Sequence, residues 1–231
     1  MSVRPSSHII AVGSIDSPLH HPKDKGSTAN LRFPTLNASL NLSIGREFMA
    51  YRYGDIDMDV LEAIKGRRSV RAFRPDDVPN AVVEQLIDAA RWAPSAGNIQ
   101  PWEFIIVRNP ELKRKLADAA LGQRFIEEAP VVIVVCANEI RSTQGYGMRG
   151  KNLYCIQDTA AAIQNLLLTA YSMGLGTCWV GAFREEEAKR ALKIPEGIRP
   201  VAIIPVGYPA ERPIAPAKRS LKQIIHYEIF H

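Results

Sequence analysis

The chain has 231 residues, 46% of them apolar and 23% charged, enough to bury one sizeable core and short for two full ones, so a single main domain with appendages is expected. Lys and Arg outnumber Asp and Glu by 29 to 24, a formal charge of +5, which suits anionic ligands but is too mild and too scattered to mark a nucleic-acid binder. Three cysteines, Cys136, Cys155 and Cys178, form no CxxC pair and sit among apolar or small residues, which points to reduced thiols in a cytoplasmic protein and away from a disulfide or zinc framework.

Residues 1–55 are rich in Ser, Asn, Pro and His and lack a sustained helical or strand period, so a weakly ordered N-terminal extension is expected there, ahead of a main domain over 56–231. Leu36, Leu40, Leu42 and Ile44 leave open the alternative that this arm packs on a partner subunit. The longest apolar runs, such as residues 130–137, fall far below the roughly 20 residues of a membrane-spanning helix.

The pattern then becomes regular. Val60, Leu61 and Ile64 make a short helical stripe, and Val82, Val83, Leu86, Ile87 and Ala90 a longer one started by Pro79 and Asn80; both are expected to lie on a sheet. Residues 104–107, 131–136, 178–180 and 201–206 are short β-rich runs bounded by Pro, Gly or Asn, the pattern of strands buried on both faces. Between the second and third, Ala162, Ile163, Leu166, Leu167 and Ala170 recur at helical spacing until Gly174 ends the helix. Alternating helices and strands predict a layered α and β protein, with strand directions open.

Four segments carry chemistry. Arg67-Arg68-Ser69-Val70-Arg71 puts three guanidinium groups and a hydroxyl within five residues at a helix end. Such donors match the oxygens of a phosphate monoester, although a solvated basic helix end would read the same. Residues 93–102, APSAGNIQPW, interrupt a helix with turn formers: Pro94 fixes one backbone angle, Gly97 permits an unusual one, and Ser95 and Asn98 offer donors and acceptors to the edge of a flat ring. An ordinary helix-to-strand connection could use the same residues. In residues 174–183, GLGTCWVGAF, Gly181 and Ala182 let backbone amides approach a ligand, and Trp179 reads as a core residue. Lys218-Arg219 follows a Pro-rich stretch near the C-terminus.

Together and in this order, RRSVR, APSAGNIQPW, the stretch QDTAAAIQNLLLTAYSMGLG over 157–176, GLGTCWVGAF and KRSL resemble the nitroreductase superfamily, from about Met58 to Tyr227. The resemblance implies an α+β three-layer sandwich, its central, mostly antiparallel sheet flanked by helices, and FMN at the interface of a homodimer. It further implies that Arg67, Ser69 and Arg71, helped by the backbone of Arg68, hold the phosphate and the pyrimidine side of the flavin. Lys218 or Arg219 completes the phosphate clamp, with the choice open because KRS departs from the arrangement of many relatives. Pro94, Ser95 and Asn98 reach the flavin of the partner subunit, and Val180 and Gly181 face the ring where relatives carry Glu-Gly.

The activity so implied is hydride transfer from NAD(P)H through the flavin to a flat acceptor such as a nitroaromatic or quinone, without a catalytic side chain of its own and with Arg71 stabilising charge on the reduced ring. The same likeness leaves open a flavin-fragmenting, dehalogenating or otherwise specialised reductase, and a basic, non-catalytic binding protein is the rival from another class. Residues 139–154, EIRSTQGYGMRGKNLY, are expected to form a mobile cover over the site and to set substrate choice. Gly145, Gly147 and Gly150 there spell GxGxxG, but the polar stretch 138–144 parts them from the strand and no acidic residue follows about 20 positions on, which disfavours a dinucleotide-binding turn.

Overall fold

The computed structural model describes residues 58–230; the extension expected over 1–55 lies outside the described residues. Helix α1 (Val60–Gly66) starts where the Asp59 carboxylate accepts from the Leu61 N–H at 2.8 Å, and α2 (Asn80–Arg91) follows Pro79. Strand β1 (Trp102–Val107) leads to α3 (Pro110–Ala119), where the Asn109 side chain accepts from the Leu112 N–H, and to the single turn α4 (Phe125–Glu128). Next come β2 (Val131–Asn138), α5 (Glu139–Arg149), a π-helical turn at Gly150–Tyr154, the long α6 (Cys155–Ser172), β3 (Gly176–Thr177), α7 (Glu185–Leu192) and β4 (Ile198–Gly207).

The four strands form one sheet in the order β1-β2-β4-β3, every neighbouring pair antiparallel. Side-chain alternation makes it the middle of three layers. Val131, Ile133 and Val135 of β2 pack with Ala202 and Ile204 of β4 against Leu86 of α2 and Ile163 and Leu166 of α6. On the other face Val132, Val134 and Cys136 meet Ile203, Leu116 of α3, Ile126 of α4 and Ala188 of α7. A strand buried on both faces has no room for polar alternation, which is why residues 131–137 read as one apolar run.

Three expectations are corrected. The third strand is Gly176–Thr177 rather than 178–180; Val180 returns to β4 as an isolated bridge to Ile203, in register with the Thr177–Val206 pair. Since Val180 and Ile203 exchange both backbone bonds at 3.0 Å, the next such pair toward Thr177 is Cys178 with Pro205, and Pro205 has no N–H to give. The ladder therefore breaks at Cys178, on the edge side of β4, where a strand tolerates proline.

The second correction concerns α1. Its stripe does not lie on the sheet: Val60, Leu61 and Ile64 are 61%, 56% and 49% exposed, and Ala63 alone in this helix is buried. Third, residues 139–154, the expected cover, run as helix where only loop residues were read. The Asn138 side chain caps α5 by accepting from the Arg141 N–H at 3.0 Å, and the helix kinks at Tyr146 and Gly147 before the π-helical turn. Gly150 belongs to that turn because a Cβ there would lie 2.2 Å from the Ser142 carbonyl oxygen.

Candidate functional site

The basic segment leaves α1 and runs along the outer edge of the sheet. Ser69 bridges Thr177 of β3, the Val70 N–H donates to the Thr177 carbonyl at 2.9 Å, and Phe73 bridges Pro209 just beyond β4. A chain paired this way alternates, so Val70 is buried while Ser69 and Arg71 stand on the other side. Glu211 ties the strip down from below: its carboxylate accepts from the backbone N–H of Arg71 at 2.5 Å and of Ala72 at 3.2 Å.

This edge forms one wall of a cavity of about 570 Å³, lined by Arg67, Arg68, Ser69, Arg71 and Lys218 and closed by the segment Pro213–Pro216. Among the described residues the ion pairs do not include Arg67, Arg71 or Lys218. Arg71 has the Phe125 ring 5.9 Å from its guanidinium carbon. Arg68 is different: its Nη1 donates to the carbonyls of Lys65, Gly66 and Arg67 at 2.6, 3.0 and 2.8 Å, so its guanidinium closes the end of α1. Arg219 does not line the cavity; its Nη2 donates to the Gln223 carbonyl. Ser69 also reaches Cys178 beneath it. Burial pushes that thiol's pKa up, and Arg71, the Ser69 hydrogen bond and Arg67 act the other way.

The remaining sequence-derived residues lie elsewhere. Pro94, Ser95 and Asn98 are not on the wall of this cavity but on a loop against α5 and α6. There the Ser95 Oγ accepts from the Gln100 N–H at 3.0 Å, Arg141 donates to the Gln100 carbonyl at 3.1 Å, and the Ala96 N–H donates to Asp158 of α6 at 3.1 Å. Val180 buries its side chain in the second core, leaving only its backbone for a ligand. Gly181 is exposed, and Trp179, read from sequence as core, is 40% exposed, its indole nitrogen 4.0 Å from where a Gly181 Cβ would stand.

Glu211 and Asp158 escaped the sequence reading. Each acts on backbone groups distant in the chain, 140 residues away for Glu211 and Arg71 and 62 for Asp158 and Ala96, and a lone carboxylate carries no local pattern for that. Among the described residues no cluster of His, Cys, Asp or Glu could hold a metal ion, and no helix is long and apolar enough to cross a membrane.

Comparison with known proteins gives the family and the fold. The nitroreductase family model matches residues 64–124 and 119–208. A protein of Methanothermobacter thermautotrophicus, provisionally named an NADH dehydrogenase/NAD(P)H nitroreductase, is 40% identical over 161 residues, covering 68% of this chain and 80% of its own. The FMN reductase [NAD(P)H] of Bacillus subtilis is 28% identical over 185 residues, covering 74% of each chain. The crystal structure of a Parabacteroides distasonis protein, with the same provisional name as the first, superposes with a TM-score of 0.67 at 35% identity, over 75% of this chain and 100% of its own.

Proposed function

Since the chain belongs to the nitroreductase family, we propose that it is an FMN-dependent oxidoreductase that takes electrons from NADH or NADPH and passes them to a flat acceptor such as a nitroaromatic or a quinone. The observation that carries this reading is the convergence of Arg67, Arg71, Lys218 and Ser69 on one cavity, the three cations outside every ion pair of the described residues. Such a donor set fits a phosphate monoester, which brings about −1.5 to −2 charges and several acceptor oxygens.

In this reading Arg67, Ser69 and Lys218 hold the phosphate, Arg68 contributes its backbone, and Arg71 serves the pyrimidine side. Lys218 is preferred to Arg219 because the Arg219 guanidinium is engaged by Gln223. Bound FMN supplies hydride and electron transfer, so the protein needs no nucleophile or catalytic triad. Arg71 supplies a fixed positive charge to the reduced ring, Val180 and Gly181 present backbone beside it, and the missing side chain of Gly181 leaves room for a flat substrate.

The working unit is proposed to be a homodimer in which Pro94, Ser95 and Asn98 complete the site of the second subunit. Their absence from the wall of this chain's own cavity supports that arrangement, as does uncovered apolar surface on α1 and along the C-terminal segment, where Ile214, Tyr227 and Phe230 are 93%, 76% and 88% exposed. A cytoplasmic setting is consistent with three buried free thiols, Cys136 pushed up to about 12 by burial and by the charge of Glu103.

The test is an absorption spectrum of the protein loaded with FMN and freed of excess, followed by anaerobic NADH or NADPH. Flavin bands that persist and then bleach are expected. Loss of all flavin on gel filtration overturns the reading; retained flavin that neither nucleotide bleaches points instead to a specialised branch of the family.

A further inference from the structure

The loop carrying Ser95 and Asn98 holds a conformation it would not choose alone. Gly97, Asn98 and Gln100 have φ of 54°, 55° and 53°, the left-handed region, which costs a non-glycine residue about 1–2 kcal/mol. Two of the bonds that hold it, Ser95 Oγ from Gln100 N–H and Arg141 to the Gln100 carbonyl, are exposed to water. The third is part-buried: Asp158, only 8% exposed on α6, accepts the Ala96 N–H on Oδ1, and its Oδ2 is buried with no hydrogen-bond partner among the described residues.

For fold stability alone this arrangement is unfavourable. A desolvated carboxylate with one hydrogen bond costs more than a neutral side chain in the same space, and burial raises the Asp158 pKa accordingly, the Ala96 bond opposing it. What the bond does accomplish is geometric. It fixes the direction of the Ser95–Ala96 peptide, hence the aim of Ser95 and of the left-handed turn behind it, relative to the helix packed on the central sheet.

We propose that Asp158 is a positioning residue, holding the Pro94–Gln100 loop in the one conformation that presents Ser95 and Asn98 to a flavin bound by the second subunit. This rests on the flavin reading above. It assigns to the core of one subunit part of the cofactor affinity of the other.

The experiment titrates FMN by flavin fluorescence into the full chain, wild type beside Asp158→Ala, Asp158→Asn, Ala96→Pro and the double variant Asp158→Ala/Ala96→Pro, with melting temperatures recorded. Ser95 has φ −141° and ψ 152°, already compatible with a following proline, so Ala96→Pro deletes the donor without touching the core. It therefore tests the proposal even if Asp158→Ala fails to fold. Asp158→Ala and Ala96→Pro are each expected to weaken FMN binding roughly tenfold, the double variant no further, and Asp158→Asn, which keeps an acceptor, to recover most of the loss. Wild-type affinity in Asp158→Ala or Ala96→Pro, or losses that simply add, overturns the proposal while leaving the flavin reading standing. A wild-type chain that binds no FMN overturns both.

Discussion

Arg71 meets Glu211 through its backbone: the Arg71 N–H donates to the Glu211 carboxylate at 2.5 Å, while the two side chains form no ion pair. The acid anchors the strip without capturing its guanidinium, which stays available to an anion. Glu211→Ala releases two N–H groups and is expected to weaken FMN binding by about tenfold with the core intact. Glu211→Gln keeps an acceptor and should lose less. Equal affinity in wild type and Glu211→Ala would mean that the pairing of Val70 with Thr177 suffices to hold the strip.

Removing the cation itself should act on both affinity and rate. Arg71→Ala is expected to lower flavin content after gel filtration and to slow NAD(P)H-dependent turnover by roughly tenfold or more, because a fixed charge beside the ring is lost. Normal flavin content and rate in this variant would remove Arg71 from the site.

Gly97 has φ of 54°, and a Cβ there would stand 2.6 Å from the Tyr146 hydroxyl. Gly97→Ala is therefore expected to displace the loop and reduce FMN affinity. Adding Tyr146→Phe removes the clashing oxygen and should restore part of the loss, leaving the left-handed backbone cost of about 1–2 kcal/mol. If Tyr146→Phe gives no recovery, the contact between α5 and the loop does not set the loop's position.

Ile133 lies at the middle of β2, fully buried between β1 and β4. Ile133→Ala should destabilise by about 2–5 kcal/mol in denaturant unfolding, from lost transfer energy and a residual cavity. A smaller loss would indicate that the helices above it collapse into the space.

Glu185, at the start of α7, receives two hydrogen bonds from Arg199 of β4, at 2.8 and 2.9 Å, and these bonds chiefly hold its pKa below the ordinary carboxylate value. Because the folded pKa is the lower one, the pair stabilises above the unfolded pKa and is lost as pH falls through the folded one. With side chains 42% and 38% exposed, the contribution is screened to about 1 kcal/mol or less. Glu185→Gln should lower the melting temperature slightly at neutral pH, and the difference from wild type should vanish on acidification.

The layers were legible because their physics is local. The period of α6 and the double-sided apolar run of β2 say what they are without their neighbours. The break at Cys178 was not, since it depends on Pro205 standing opposite, a partner known only once the register is set. In the site, clustered donors such as Arg67, Ser69 and Arg71 announce themselves, whereas Glu211 and Asp158 act across long loops and show no pattern. The stripe on α1 was readable as apolar, but periodicity does not say what covers it.

The sheet order β1-β2-β4-β3 has a kinetic consequence. Its last strand in the chain sits between β2 and β3, so neither side of the core closes until residues 198–207 have left the ribosome. Until then β2 exposes an apolar strand with one edge unpaired, a species prone to self-association. Folding is accordingly delayed until β4 is available, and nascent chains that stop short of β4 become clients for chaperones rather than smaller versions of the domain.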